Sequence, residues 1–548
     1  MVNLNGTLKG SAAAGFAGGS FSLDTGGAAN LDSLATTLAS SGVNQSIAIR
    51  TKSGNLTLSQ GNALTAQTVS LTADGGSGGL DANNGNVAIL GTINASGTAG
   101  GEIDLYGKGN VDIEGSLLAR GSSATQRGGT VKVGVAGVPD TANGVVQADP
   151  SYGYELMSKT ASGKITVGSN ALIDVSGGTA GGLSGGTVSF RAPVLDDGSV
   201  NVTIAPGQNG STIVGARAVT LEGYAVWSTT DPSTGAQHFD GIIDPAGWYD
   251  SQGNLVSGTF TDKSGNTVLA YTAGSMTADQ LTPYLTNDFF TPGSGAVNTN
   301  HETFYGYNNG SSGNGAGTLM NFVNNGLTSV ANQFAGTDVA NFHVVPGIEL
   351  DNPSAAINGG NISVLTNWNL GAGTSQTNLA YRFQGQAPVI TLRAENNVKV
   401  KASLTDGFFQ IANPLGGGGS IPVPPLSTLT EALSVYNTPQ GAYGYTLSYY
   451  GANGSGPNRN LVSAPGQPTG GTTEQIEEYY ALYTAYANYL DQVDTNLDSL
   501  VTAIKPNSSH IGVISVLVPQ PFCQASPLRL PRRPLAIRLA MPGFTSFI

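Results

Sequence analysis

The chain has 548 residues, of which 22 are Lys or Arg and 35 are Asp or Glu, a formal net charge of −13. That balance excludes a phosphate-driven nucleic-acid binder, whose dominant affinity term needs clustered basic side chains. The single cysteine, Cys523, excludes an intramolecular disulfide, and no apolar run reaches the roughly 18 residues that a membrane-spanning helix requires. Glycine, at 79 residues, is about twice as frequent as in average proteins. Only 10% of residues are charged, so the polar load falls on Asn, Ser, Thr and Gly, which suit turns.

Two phrases recur along the chain. Asn86-Val87-Ala88-Ile89 returns as Asn110-Val111-Asp112-Ile113 and as Asn397-Val398-Lys399-Val400. Gly100-Gly101-Glu102-Ile103 returns as Gly128-Gly129-Thr130-Val131, Gly185-Gly186-Thr187-Val188 and Gly359-Gly360-Asn361-Ile362. Self-similarity at twenty-odd residues marks stacked units, each too short to bury its own apolar face.

In chain order, residues 1–50 are rich in Gly, Ala and Ser, with a helix expected at 31–41. The first residues, Met1-Val2-Asn3-Leu4, carry neither the basic nor the apolar region of a secretory signal. From about residue 46, triplets such as Ile47-Ala48-Ile49, Val69-Ser70-Leu71, Ile103-Asp104-Leu105 and Val131-Lys132-Val133 alternate apolar with polar, the period of a strand with one buried face. Gly-Asn, Gly-Gly and Ser-Gly pairs between them are expected to supply positive φ at tight corners. The fold class that follows is all-β: a right-handed parallel β-helix over residues 1–193, about six coils in a rod of about 30 Å. Residues 194–343 break the rhythm and read as an insertion standing off the rod, with loops and short helices at 277–285 and 319–334. Coils resume over 344–410, and a Pro/Gly-rich linker spans 411–471. Thr472-Thr473-Glu474-Gln475 then opens an amphipathic helix over 472–505 with a capping-box signature. Its stripe of Ile476, Tyr479, Tyr480, Tyr483, Tyr486 and Leu490 keeps helical spacing, and its acidic opposite face speaks against an anionic membrane. Residues 519–548, rich in Arg and Pro, abandon every earlier compositional habit and are expected to be out of frame and disordered.

The coil phrases Ile93-Asn94-Ala95-Ser96-Gly97 and Ile173-Asp174-Val175-Ser176-Gly177, each followed by Gly-Gly, resemble the filamentous haemagglutinin family. So does the segment from Val345-Pro346-Gly347-Ile348-Glu349-Leu350 through Asn367-Trp368-Asn369-Leu370 to Leu404-Thr405-Asp406-Gly407-Phe408. The resemblance extends over about residues 1–510 as an internal portion, without the family's N-terminal secretion domain. It implies a large exoprotein exported by two-partner secretion through a dedicated outer-membrane transporter. It also implies a β-helical fibre, secreted or held at the outer membrane, that binds glycans or proteins on host or bacterial surfaces.

Chemistry has few candidates. His238, His301, His343 and His510 are scattered without zinc-ligand spacing, and Gly75–Asp81 reads as turn glycines rather than a calcium loop. Glu102, Asp104, Asp112 and Glu114 form an acid cluster, but they alternate with Ile103, Leu105, Val111 and Ile113 and so occupy the solvent side of two strands. Asp240, Asp244, Trp248, Tyr249 and Asp250 read as a packed turn. No catalytic, cofactor-binding or metal residue is assigned. The reading is a non-enzymatic adhesive fibre, with a carbohydrate-active β-helix enzyme (a polysaccharide lyase or hydrolase) as the alternative.

Overall fold

A computed structural model describes residues 7–406 except 14, 77–79, 138–144, 148–153, 180–183, 209, 231–237, 262–263, 270–303, 306–317 and 376–377, together with residues 536–540. The expected helices at 277–285 and 472–505 and the linker lie outside them.

The protein is strand-rich, and most of its sheets are parallel. The largest, sheet A, runs through Gly19–Thr25, Val43–Thr51, Thr68–Ala73, Glu102–Gly107, Thr130–Val135, Gly186–Pro193, Ala216–Ser228, Phe342–Asn352 and Val389–Ala394. Sheet B stacks Leu56–Leu58, Val87–Ile89, Val111–Ile113, Ile165–Val167 and Val202–Ile204. Sheet C stacks Ala63–Thr65, Thr92–Asn94, Ser116–Leu118, Leu172–Asp174 and Ile213–Val214. The chain passes from A to B to C and back to A, adding one parallel strand to each sheet per passage. Further on, Ile242–Ile243, Asn361–Val364 and Asn397–Val400 stack in the same way, as do Trp368–Asn369 and Leu404–Thr405.

The alternation in the sequence is what closes this arrangement. In sheet A, Val69, Ile103, Val131, Val188 and Val219 stand in register on consecutive strands, and all are fully buried. Each such side chain contributes about 1.5–3 kcal/mol of transfer free energy. Sheets B and C face the same interior with Leu56, Val87, Val111 and Ile165, and with Leu64, Ile93, Leu117 and Ile173.

The two phrases mark two corners. The Asn phrase enters sheet B: Asn86 Oδ1 accepts the backbone N–H of Asn110 at 2.7 Å, and Asn55 Oδ1 accepts that of Asn86 at 3.0 Å. Each Asn therefore satisfies a backbone donor on the next passage, a ladder worth about 1 kcal/mol per rung. The Gly-Gly phrase enters sheet A, and here the expectation is corrected. None of Gly100, Gly101, Gly128, Gly129, Gly185 and Gly186 has positive φ. They are glycine because backbones touch: a Cβ on Gly101 would lie 1.9 Å from Gln67 O, one on Gly129 2.0 Å from Gly101 O, and one on Gly186 2.0 Å from Gly129 O. The fourth copy is a different object. Gly359 and Gly360 do have positive φ, 61° and 71°, and they precede Asn361, which pairs with Asn397. Gly359-Gly360 therefore belongs with the Asn corner.

The first helix, α1 (Leu31–Ala39), falls within the helix expected at 31–41. Asn30 caps it by accepting from Ser33 N at 3.0 Å. Leu31, Leu34, Ala35 and Leu38 are buried, and α1 lies across the first strands of sheets B and C. The segment expected to be one helix over 319–334 is two, α2 (Leu319–Asn325) and α3 (Thr328–Gln333), parted where Leu327 leaves helical geometry.

The boundary expected at residue 193 is also displaced. Val202–Ile204, Ile213–Val214 and the long strand Ala216–Ser228 continue the three sheets, so the extra material begins after Ser228. Nor do its described parts stand off. Phe322 of α2 meets the Trp227 ring edge-on at 5.4 Å, and Phe304, Tyr305, Leu319 and Val323 share the core that includes Trp227 and Trp368. In the Arg/Pro tail expected to be disordered, Ala536–Ala540 forms a strand parallel to Val389–Ala394 and ends sheet A. Among the described residues, no helix is long and apolar enough to cross a membrane.

Candidate functional site

The acids singled out by sequence divide between two faces. Glu102 and Asp104 lie on sheet A, Asp112 on sheet B, and Glu114 just beyond its strand. Glu102 pairs with Lys132 one strand away, and Lys132 also lies 3.7 Å from Asp104. The four do not converge.

The Asp/aromatic segment is a packed turn. Asp244 is fully buried, accepting from Thr366 Oγ1 at 2.8 Å and Tyr249 N at 2.7 Å, while Asp244 N donates to the Tyr305 hydroxyl. Asp240 accepts from Ile242 N, and Asp250 from Gln252 N and Asn254 N. Trp248 packs over Gly258, where φ is positive. Asp81 is likewise used in its own turn, accepting from Asn83 N. His343 sits in sheet A opposite Thr220, the backbone N–H of His238 donates to Ser228 O, and His301 and His510 lie outside the described residues. Among the described residues, no group of three or more His, Cys, Asp or Glu is placed to hold a metal ion.

The structure assembles a cluster that the sequence did not single out. On the outer face of sheet A, Arg191 Nε donates to Glu222 Oε1 at 3.0 Å, and its Nη2 reaches Glu349. Arg393 Nε lies 2.6 Å from Glu349 Oε1. The Arg191 guanidinium also stacks 3.7 Å from the centre of the Tyr224 ring, a cation–π contact. The strands supply the geometry. Arg191 faces Glu222 directly, Tyr224 faces Gly347, and Asp351 faces Arg393. Gly347 leaves room for the Tyr224 side chain, since a Cβ there would stand 2.4 Å from Tyr224 Cβ.

Although the row lies on an outward face, Glu222, Tyr224 and Glu349 are all buried, while Arg393 at its end stays partly exposed. Burial opposes charge on Arg191, but Glu222 and Glu349 outweigh it and hold the group protonated. Burial likewise opposes charge on Glu349, and Arg393 with Arg191 outweighs it, so its pKa is lowered. Asp351 goes the other way: burial, and then the charge of Glu349, raise its carboxyl to about 7 against the pull of Arg393. Two carboxyls on one strand face are thus driven apart, one locked as an anion and one sharing its proton with solvent near neutral pH. Chemically, Glu349 is committed to two guanidiniums, and Asp351 is the group able to exchange a proton. A sequence signal for the row did exist. In a chain this poor in charge, Arg191, Glu222, Glu349, Asp351 and Arg393 all stand at strand positions that alternate with apolar residues.

Comparison of the chain with protein-family models, with curated proteins and with solved structures returns no match.

Proposed function

We propose that the chain is a structural and adhesive portion of a secreted bacterial surface fibre of the filamentous haemagglutinin type, built as a right-handed parallel β-helix. The observation that carries this reading is the cyclic passage through three parallel sheets, with Gly-Gly and Asn ladders repeating at fixed corners. A stack of this kind grows along one axis and presents long, rigid, repetitive faces. Such faces suit attachment at many weak points, because tethered contacts add as avidity. The full-length protein would be exported through a two-partner-secretion transporter of the outer membrane and would bind glycans or proteins on host or bacterial surfaces. The test is retention of the purified, labelled chain on epithelial and bacterial cells, with electron microscopy of its shape. Rods that bind saturably are expected, and a compact particle that no cell type retains sinks the reading.

A second reading, a carbohydrate-active enzyme, would rest on the Glu349 and Asp351 carboxyls that share the outer face of one sheet A strand, with Asp351 the one not tied up between two guanidiniums. It requires sugar release from acidic or neutral polysaccharides that is lost in Asp351→Asn. Asp104 and Asp112, which lie on different sheets, are not its acid pair.

A further inference from the structure

The two ends of the strand stack are finished differently. At the N-terminal end, Gly19–Thr25 covers the edge of sheet A, and α1 lies across the ends of sheets B and C. Under that cover the first inward residues, Leu56, Leu58 and Leu64, are no more than 1% exposed. Asp32 of α1 also accepts the N–H of Ser59 at 2.8 Å, satisfying a corner donor that has no preceding strand to pair with. At the C-terminal end, sheet A is again covered by one strand, Ala536–Ala540. Beyond Asn397–Val400 and Leu404–Thr405, however, no described residue plays the part of α1. Val400, in register with fully buried Val364, is 56% exposed, and Val398 and Leu404 are only partly buried although their partners Ile362 and Trp368 are fully so. Among the described residues, the apolar core therefore ends open on two of its three sides.

We propose that this open end is covered by residues 476–490 of the same chain, whose stripe of Ile476, Tyr479, Tyr483, Tyr486 and Leu490 lies across Val398, Val400 and Leu404 as the leucines of α1 lie across Leu56, Leu58 and Leu64. Connectivity favours this occupant. The described chain leaves this end after Asp406 and returns to it at Ala536, so the whole intervening segment is tethered at both its ends to the face in question. Such tethering raises the local concentration of the stripe without any new contact. Helical spacing over about four turns spans about 20 Å, enough to cross the ends of two short strands. A second copy stacked head to tail is disfavoured, because the opposite end of the molecule is closed by α1 with Thr36 and Thr37 in its outer layer and its leucines turned inward. The inference is independent of what the protein binds.

Hydrogen–deuterium exchange on the full chain tests it. In the wild type, amides at 397–405 and at 476–490 are expected to exchange at least about tenfold more slowly than unstructured amides. Tyr483→Asp should speed exchange at 397–405, and Val400→Asp should speed it at 476–490, while 56–65 stays protected in both variants. Since Val400 is already half-exposed, the second variant does not depend on surviving a core substitution. Unprotected amides at 476–490 in the wild type would overturn the proposal, as would variants that loosen only their own segment. Protection at 397–405 that rises with protein concentration would assign the face to a second copy instead.

Discussion

The passages up to Val214 and those from Ala216 onward use the same sheets but are held together differently. In the earlier part, consecutive backbones touch at the Gly-Gly corner, asparagines tie one passage to the next, and the interior is mainly aliphatic, with Phe190 an exception. The outward charges there are half-exposed pairs such as Lys132 with Glu102. In the later part, the sheet A strands lengthen to 13 and 11 residues, and Trp227, Trp368, Tyr305, Tyr381 and Phe322 fill the interior. The outward charges there, Glu222, Glu349 and Arg393, join Arg191 of the last earlier sheet A strand in a row that is buried except at Arg393. Sequence regularity is thus needed where backbone meets backbone at fixed spacing. Where inserted segments pack across the strands, side-chain fit replaces it and the repeat fades.

The comparison can be broken most forcefully in the interior. Ile113→Asp or Val131→Asp places an unpaired charge between passages and should cost about 5 kcal/mol, enough to abolish cooperative melting of the early part. An unchanged melting temperature would mean that these residues do not face inward. Next comes Glu349→Gln, which strips the buried Arg191 and the partly exposed Arg393 of their shared partner. A loss of about 3 kcal/mol in denaturant unfolding is expected, whereas Glu102→Gln in the exposed early pair should change stability by about 0.5 kcal/mol or less. Equal effects would erase the distinction between the two kinds of charge.

Gly129→Ala should cost about 2–3 kcal/mol, because the added carbon meets backbone that cannot retreat alone. Gly134→Ala, five residues on, meets the edge of the Tyr106 ring at 3.4 Å and Arg191 Cβ at 4.0 Å, both ordinary contacts, and should be nearly neutral by the same thermal melt. Asn86→Ala should cost about 1 kcal/mol, the value of one ladder rung.

Finally, the Asp351 carboxyl moves from an ordinary 3.8 to about 7 on folding. Between those values the folded protein holds a proton that the unfolded chain has released. Stability therefore declines as pH rises from about 4 to about 7. Asp351→Asn, which cannot titrate, should flatten that slope in urea melts across the same range, and a slope identical to wild type would show that another group sets it.

Much of the fold was legible. The inward Val, Ile and Leu positions of the early strands, the place of α1, and the solvent-side placement of Glu102 and Asp104 all follow from period-two and period-3.6 patterns that local backbone geometry enforces. Each member of the Arg191 row carried a signal, but their assembly was not legible, because they are distant in sequence. Arg191 and Glu222 are 31 residues apart, and Arg191 and Glu349 are 158. Only the register of Gly186–Pro193, Ala216–Ser228, Phe342–Asn352 and Val389–Ala394 brings them together. The continuation of the sheets past residue 193 was hidden for a related reason: loops of very different length separate strands that are neighbours in space, so the spacing along the chain stops reporting the stacking.

What the sequence determined by itself is the strand, corner and helix chemistry of each short segment, because alternation, Asn and Gly act within one passage or between two adjacent ones. What only the tertiary structure decided is why the corner glycines are glycine, which charges are buried, and which Gly-Gly pair belongs to which corner. Those outcomes depend on how closely separate passages of the chain approach, a distance that no local pattern encodes.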